Sequence, residues 1–328
     1  MFSLQFPLPS IESRLSPYKS KSASSILNDQ SRSSSTSKNL QIFPSLCLPK
    51  SRVLSSATEV VVEELEGGVN GSRVSDARVP SEQWPLPAGL RREYIPNHVA
   101  VIMDGNVRWA RQRGLPSSSG HEAGIRSLRE LVELCCKWGI RVLTVFAFSS
   151  DNWTRPQMEV DFLLSLFERG LEEELENFMR EDIQISVIGD SSKLPISLRK
   201  LITNATETTK NNSRLQLIVA VSYSGRYDIV QACQSIAYKV KDGLIKPEDI
   251  DESLISQELE TNCTEFPYPD LLIRTSGELR MSNFMLWQLA YTELFFVNSL
   301  WPDFGEKEFA EALHSFQQRQ RRYGGRNS

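Results

Sequence analysis

Apolar runs alternate with helical patterns along the chain from Pro96 onward. Short apolar runs bounded by turn-forming residues predict strands over residues 99–103, 141–148, 183–188, 215–222 and 271–274, with a weaker strand over 294–297. Strands that are apolar throughout and alternate with helices are typical of parallel sheets covered by helices. The pattern therefore predicts the α/β class.

Two of the predicted helices differ in the width of their apolar face. After residue 120, one stripe faces a core and charged residues occupy the opposite side; the stripe consists of Ile125, Leu128, Leu131, Val132, Cys135 and Trp138. Residues 159–179 carry an apolar set that is wider than one stripe. Such width indicates burial on two sides, which is the commoner arrangement, or a helix that lines an apolar cavity.

Composition narrows the class of protein. The chain has 328 residues, 40% of them hydrophobic, and a net charge of −4, as ordinary globular proteins do. It contains no apolar stretch of transmembrane length, so any lipid chemistry is expected from a soluble body, with membrane association only peripheral and through the product. Five cysteines without a C-x-x-C pair, and three histidines, argue against structural zinc and a disulfide framework.

The N-terminal region differs in charge from the rest. Residues 1–56 hold seven basic and two acidic side chains, and residues 1–50 contain fourteen serines. An acid-poor, serine-rich segment is typical of an organelle transit peptide, with a disordered cytosolic tail as the alternative. Residues 57–92 carry Gly and Pro pairs that predict a flexible linker.

Polar residues follow the first two strands at the edge of the sheet where ligands of parallel α/β proteins bind. The first strand leads into Asp104-Gly105-Asn106, with Arg108 and Trp109 close behind. Backbone N–H groups and a guanidinium suit a phosphate, and a carboxylate suits the Mg²⁺ that accompanies it, although Asp-Gly-Asn is also a common turn. The second strand ends in a serine- and asparagine-rich segment that also fits a capped helix start.

The fifth strand ends in a stronger signal. Arg274 terminates an apolar strand, and Arg280 follows across a glycine turn. A buried, unpaired cation is costly, and two guanidinium groups can grip several oxygens of one polyanion. We therefore expect an anion site here rather than a solvated charge pair.

Several enzyme classes lack their motifs in this chain. It contains no G-x-S-x-G elbow, no G-x-x-x-x-G-K-[ST] loop and no G-x-G-x-x-G loop. Hydrolase, kinase and dinucleotide-binding functions are therefore disfavoured. Paired Asp-Asp-x-x-Asp segments are also absent, which argues against a trans-type prenyl synthase.

Four motifs together resemble the cis-prenyltransferases, the family of undecaprenyl and dehydrodolichyl diphosphate synthases. They are Asp-Gly-Asn-x-Arg-Trp-Ala from residue 104, Gly-His-x-Ala-Gly from residue 120, Phe-Ala-Phe-Ser-Ser-Asp-Asn-Trp-x-Arg-Pro from residue 146, and Asp-Leu-Leu-Ile-Arg-Thr-Ser-Gly-Glu from residue 270, followed by Ser-Asn-Phe. The likeness covers residues 95–326 and is greatest to plant members. It implies a six-stranded parallel sheet surrounded by helices, with residues 93–328 as a single catalytic domain that acts as a homodimer in plastids.

The resemblance also implies a reaction, in which isopentenyl diphosphate condenses with an allylic diphosphate to give a Z-configured polyprenyl diphosphate. It assigns Mg²⁺ to Asp104 and, across the dimer, Glu293, with the Arg-Tyr-Gly element at residues 322–324 also acting across that interface. Ser149 and Asn152 are expected near the condensing carbons. The remaining substrate-binding residues that it implies are Gly105, Asn106, Arg108, Trp109, His121, Trp153, Arg155, Arg274, Arg280 and Ser282.

Product length is expected to depend on Ala147. Side chains two apart on a strand share a face, so Ala147 lies one step deeper than Ser149 in the site, and Phe146 and Phe148 face away. The broad helix over 159–179 would then form the wall of a tunnel for the growing tail.

Three departures from the family pattern bear on the choice of substrate. Val107, Ser117 and Leu279 stand where many members carry other residues, several of which contact phosphate. They leave open a short-chain or irregular synthase that makes C10–C20 products or joins two dimethylallyl units. A non-catalytic partner subunit is disfavoured by Asp104 and the Asn-Trp loop, and nucleic-acid binding is disfavoured by the acidic domain.

Overall fold

The computed structural model describes residues 84–320, so the predicted transit peptide, most of the predicted linker and residues 322–324 lie outside the described residues. Within that range, six strands form one sheet in the order β3-β4-β2-β1-β5-β6, and every neighbouring pair is parallel. The strands are β1 His98–Ile102, β2 Val142–Ser149, β3 Ile183–Ile188, β4 Leu215–Tyr223, β5 Leu271–Arg274 and β6 Glu293–Phe296. The predicted six-stranded parallel sheet is confirmed.

The α-helices of residues 84–320 lie between successive strands, except between β5 and β6, and the last helix follows β6. They are α1 Asn106–Gln112, α2 Ser117–Trp138, α3 Gln157–Arg180, α4 Ile196–Thr209, α5 Gly225–Lys241, α6 Glu252–Glu258 and α7 Glu306–Gln318. Among residues 84–320, no helix is long and apolar enough to cross a bilayer.

Alternate residues of the strands feed two separate hydrophobic cores. Val99 and Val101 of β1 face the larger core, which α2, α3, α4 and α7 cover, whereas Ala100 and Ile102 face the smaller one. The smaller core is closed in part by an irregular segment that contributes Phe284. The two-residue period of a strand explains this division.

A bulge interrupts that period near the end of β2. The register of β2 on β4 shifts between Phe146 and Ser149, so Phe148 packs in the larger core while Phe146 stacks on Phe284 in the smaller one. The prediction that both phenylalanines face away from Ala147 is therefore wrong for Phe148. An extra residue in one strand reverses the alternation beyond it.

The described end of the predicted linker packs against the domain. Leu90 is buried, and the side chain of Gln317 in α7 accepts a hydrogen bond from Arg91 N at 3.1 Å and donates one to Arg91 O at 3.0 Å. Residues 84–92 therefore belong to the folded body, because Leu86 and Leu90 bury apolar surface that a linker would leave exposed.

Candidate active site

The sheet order brings the three polar strand ends together. β1 lies between β2 and β5, and Ile102 at the end of β1 pairs with Phe146 on one side and Arg274 on the other. Because carboxyl ends of parallel strands share one edge, the segments after residues 102, 149 and 274 meet there. The predicted clusters therefore form one site.

Asp104 is held at this edge by two guanidinium groups. Its Oδ2 lies 3.0 Å from Arg274 Nη2, and its Oδ1 lies 3.1 Å from Arg108 Nη2. Burial acts to raise the pKa of the Asp104 carboxyl, but the hydrogen bonds and charges of Arg274 and Arg108 outweigh it and hold that pKa below its usual value. Asp104 is therefore a carboxylate at neutral pH.

Arg274 is the most buried cation of the site. Its side chain is 4% exposed, and its Nη1 donates to Ser282 Oγ at 2.6 Å and to the Arg280 carbonyl. Among the described residues, its Nε–H has no hydrogen-bond acceptor although it is buried. A buried donor without a partner is costly, so this atom points to a ligand that can accept from it.

Glu278 bridges Arg108 and Arg280, a contact that the sequence did not predict. Its Oε1 lies 3.2 Å from Arg108 Nη1, and its Oε2 pairs with Arg280 Nη1. Arg108 also donates to Ser276 Oγ at 2.5 Å. Nothing in the order Glu278, Leu279, Arg280 indicates that the carboxylate contacts the helix that begins at residue 106.

The turn before α1 requires glycine. Gly105 has φ of +111°, and a Cβ there would lie 2.9 Å from Leu300 Cδ2. The next residue, Asn106, packs against α2, where a Cβ at Gly124 would lie 2.4 Å from Asn106 Oδ1. That oxygen is buried and has no partner within residues 84–320. The Asn106 side-chain amide is thus held close to α2, and its oxygen can still accept a hydrogen bond.

His121 lies near the start of α2 and faces the same space. Its Nε2 is buried and, in the part of the chain that the structure describes, has no hydrogen-bond partner. Burial lowers the pKa of His121, and the charge of Arg155 lowers it further, while Glu159 opposes the shift. The neutral imidazole can present an N–H or a lone pair to a ligand.

Ser149 and Asn152 form a capping box at the end of β2. Asn152 Oδ1 accepts from Ser149 N at 2.9 Å, and Ser149 Oγ accepts from Asp151 N at 3.1 Å.

Trp153 donates from Nε1 to Ser222 Oγ at 2.9 Å. Arg155 pairs with Glu159 at 2.8 Å. These bonds order the loop, and the predicted contacts of these four residues with substrate stay predictions.

The side chain of Trp109 makes its hydrogen bond outside the cluster of Asp104, Arg108 and Arg274. Its Nε1 donates to Asp303 Oδ1 at 2.7 Å, and the guanidinium of Arg113 stacks over its ring at 4.2 Å. The indole N–H therefore ties α1 to the 3-10 helix Trp301–Asp303, and the predicted contact of Trp109 with substrate stays a prediction.

Glu293 lies apart from Asp104 within one subunit. It starts β6 beside Leu271, three residues back along the sheet from the level of Arg274, which is about 10 Å. Its Oε2 pairs with Arg319 Nη1 at 2.6 Å. The structure thus separates Glu293 from the Asp104 of its own chain, because the two occupy different ends of parallel strands. A metal role across a dimer stays a prediction.

A cavity of about 1500 Å³ extends from this site into the body of the protein. Met103, Asn106 and His121 line one end, and Arg141, Asp182 and Arg214, which precede strands, line the other. Its apolar wall comes from α2, α3 and the sheet, and includes Ala147, Phe148, Leu128, Val132, Leu163, Phe167, Leu171 and Val219. The broad apolar face of α3 therefore lines a cavity.

The three departures from the family pattern lie at the surface or close to it. Ser117 is exposed at the start of α2, Val107 is partly exposed in α1, and Leu279 is 75% exposed. The leucine is therefore not packed into the described body of the chain.

Carboxylates at the site are few. Within residues 84–320 no group of three or more His, Cys, Asp or Glu side chains could hold a metal ion. Mg²⁺ in phosphate sites is commonly bound by one or two carboxylates together with substrate oxygens. Asp104 is one carboxylate near buried polar atoms that lack partners and could bind a phosphate. It therefore fits Mg²⁺ held jointly by a carboxylate and substrate oxygens, and it does not fit a metal site made of protein ligands alone.

Comparison with known proteins decides the family. Residues 102–324 match the prenyltransferase family described as undecaprenyl diphosphate synthase. The chain belongs to this family. It is also 63% identical over 284 residues to cis-prenyltransferase 4, chloroplastic, of Solanum lycopersicum, covering 87% of this chain and 91% of that protein. The predicted prenyltransferase activity is confirmed at this level, and the chloroplastic relative confirms the predicted plastid localisation.

One further curated relative and one solved structure are also similar to the chain. Dehydrodolichyl diphosphate synthase 2 of Arabidopsis thaliana is 67% identical over 247 residues, covering 75% of this chain and 80% of the relative. The crystal structure of lavandulyl diphosphate synthase from Lavandula x intermedia in complex with dimethylallyl diphosphate is 44% identical, with a TM-score of 0.69, and covers 71% of this prenyltransferase and 99% of that chain. The fold and the enzyme class are therefore shared.

Proposed function

We propose that this prenyltransferase elongates an allylic diphosphate with isopentenyl diphosphate to give a Z-configured polyprenyl diphosphate. The observation that carries the proposal is the junction of two opposite environments. Asp104, Arg108 and Arg274 form a charged cluster at the carboxyl ends of β1 and β5, and Met103, next to Asp104, lines the end of the apolar cavity. A charged head with a long hydrocarbon tail fits both parts.

The unpartnered buried atoms support two diphosphate positions. Arg274 Nε and its neighbours Arg280 and Ser282 would hold isopentenyl diphosphate on the β5 side. His121 Nε2 and the Asn106 amide would hold the allylic diphosphate on the α1 side, where rotation of the amide presents its NH₂ group. Arg108, between the two sides, contacts both Asp104 and Ser276.

Asp104 would hold Mg²⁺ together with oxygens of the allylic diphosphate. When bound, the metal would stabilise the negative charge that accumulates on the departing diphosphate. The residues of the chain would act beside it: His121 and Arg108 would donate hydrogen bonds to the charge that develops on the departing allylic diphosphate.

Ser149 and Asn152 would lie at the condensing carbons. Their capping box fixes both side chains next to Ala147, which lines the cavity. Asn152 would orient the C5 unit, and the Ser149 hydroxyl would relay the proton that is lost when the new double bond forms to an oxygen of the departed diphosphate. Phe148 and α3 would shield the reacting allylic group from water, and so from hydrolysis, once substrate is bound.

A homodimer is part of this proposal. β6 forms one edge of the sheet, and its four residues are only partly buried within one chain. Strand edges are commonly covered by another element or subunit. Glu293 and residues 322–324 would then act at the partner's site.

Irregular coupling of two dimethylallyl units is the second candidate, because the lavandulyl diphosphate synthase structure shares the fold at 44% identity. A non-catalytic partner subunit is less well supported, since Asp104 and the Asn152 loop are both in place.

The test is an incubation of the full chain with labelled isopentenyl diphosphate, Mg²⁺ and a series of allylic primers. We expect label in products longer than the primer, with Z double bonds by NMR. Products formed from dimethylallyl diphosphate alone would establish the irregular reaction instead. No product with any primer would contradict both catalytic functions.

A further inference from the structure

Among the charged side chains that line the cavity, one ion pair joins α2 to α3. Arg129 of α2 and Glu174 of α3 both line it, and Arg129 Nε lies 2.6 Å from Glu174 Oε1. The Glu174 side chain is only 18% exposed. A second carboxylate, the more exposed Glu173, lies 3.3 Å from Arg129 Nη2. The two helices are thus joined by an ion pair at the cavity surface.

The pair lies part-way along the path that a growing tail would take. Arg129 follows His121 by eight residues on α2, which is about 12 Å along the helix. Apolar residues adjoin it on both helices, Leu128 and Val132 on α2 and Leu171 on α3. Beyond the pair, the cavity continues past Phe178 towards Ile183 at the start of β3.

Placing a hydrocarbon chain against an ion pair costs free energy, because the chain removes water from the two charges. A tail that grows past Arg129 and Glu174 must displace the water that reaches the two charges, and the tail offers no hydrogen bond in return. The pair also fastens α2 to α3, so it limits how far the cavity can widen at that depth.

We propose that the Arg129–Glu174 pair sets product length, by making each further addition unfavourable once the tail reaches it. This inference rests on the proposed function. It assigns a specificity role to two residues that touch neither diphosphate, so substrate affinity should be independent of them.

The two partners are not equivalent, which sharpens the test. Loss of Glu174 leaves Arg129 paired with Glu173, whereas loss of Arg129 leaves the largely buried Glu174 without that cation at the cavity wall. Only removal of both charges leaves neither member of this ion pair at the cavity wall. We expect Arg129→Leu with Glu174→Leu to lengthen the products, and Arg129→Leu alone to give products no longer than those of the unmodified protein.

The experiment compares these variants by chromatography of dephosphorylated products at saturating isopentenyl diphosphate. A matched control is Glu133→Leu with Lys137→Leu, since that pair also lines the cavity but lies within α2. The near-isosteric pair Arg129→Met with Glu174→Gln is measured in parallel, so that a folding defect of the leucine variant does not decide the outcome.

The proposal predicts a shift of the product peak by at least one isoprene unit in the uncharged double variants, no shift in the control, and unchanged KM values for both substrates. An unchanged or shorter distribution in the folded double variants would overturn it. Failure of the unmodified protein to elongate any primer would instead contradict the proposed function.

Discussion

Arg274 Nη2 lies 3.0 Å from Asp104 Oδ2, although the two residues are 170 positions apart in the chain. The contact exists because β1 and β5 are parallel neighbours. Ile102 pairs with Arg274, and Asp104 comes two residues after Ile102. The buried guanidinium therefore has a structural partner as well as an unpartnered Nε. Substitutions at these positions have to separate the two roles.

Arg280 offers the cleaner test of the isopentenyl diphosphate position. Its side chain is 60% exposed, so Arg280→Gln should leave the free energy of unfolding within about 0.5 kcal/mol of the unmodified value. Loss of one charge-assisted contact should raise KM for isopentenyl diphosphate by about tenfold or more. Steady-state kinetics with each substrate varied in turn measures this.

The control is Arg126→Gln, which removes an exposed arginine from α2. It should leave both KM values unchanged. An equal rise in KM for the allylic substrate in Arg280→Gln would reassign the residue to the other diphosphate. By contrast, Arg274→Gln should also destabilise the fold by about 3 kcal/mol, because it removes the buried partner of Asp104.

Ala147→Leu should shorten the products. Ala147 lies at the bulge of β2 and lines the cavity, so added carbons there occupy space that the tail needs. The first condensation should persist, since the diphosphate contacts are untouched. Product chromatography is the measurement, and Ala237→Leu, an equal change at an exposed position of α5, is the control. Identical chain lengths in both variants would remove Ala147 from the tail's path.

His98 should make stability depend on pH. It is fully buried, with Nδ1 2.7 Å from Phe266 O and Nε2 2.7 Å from Thr144 Oγ1, and burial lowers its pKa to about 3 despite the opposing hydrogen bond to Phe266. Below about pH 6.5 the unfolded chain binds a proton that the folded chain does not. This residue therefore lowers the free energy of unfolding as pH falls, by about 1.4 kcal/mol per pH unit.

Urea denaturation of the unmodified protein and His98→Gln between about pH 7 and pH 5 isolates this contribution, because other titrating groups are common to both. The difference in unfolding free energy between the two proteins should shrink or reverse towards acid. A difference that is constant with pH would mean that His98 has the same pKa in the folded and unfolded states.

The sequence predicted most of the sheet because the strands are apolar runs with sharp ends. The limits of β3 and β5 agree with the structure, and the other strands differ by one residue at one or both ends. The face on which Phe148 lies could not be predicted, since the bulge depends on how β2 pairs with β4. Periodicity within one strand carries no information about its partner's register.

The site was predictable as far as its motifs follow strand ends. Asp104, Arg108 and Arg274 do meet, as the shared edge of parallel strands requires. The bridge of Glu278 to Arg108 and the bond of Trp109 to Asp303 were not predictable, because they join segments about 170 to 194 residues apart through side chains alone.

The most direct test of the account replaces Asp104 with asparagine. Asp104→Asn keeps the size of the side chain and an oxygen that can accept from Arg274, but it removes the negative charge proposed to hold Mg²⁺. It also removes the counter-charge of the buried guanidinium, so urea denaturation must show that the variant is folded before its rate is compared. Incorporation of labelled isopentenyl diphosphate onto an allylic primer is measured at increasing Mg²⁺, with Asp242→Asn, at an exposed helix end, as control. The account predicts a loss of about 10²-fold or more in rate for Asp104→Asn alone. Turnover of Asp104→Asn at the unmodified rate and the same Mg²⁺ dependence would contradict it.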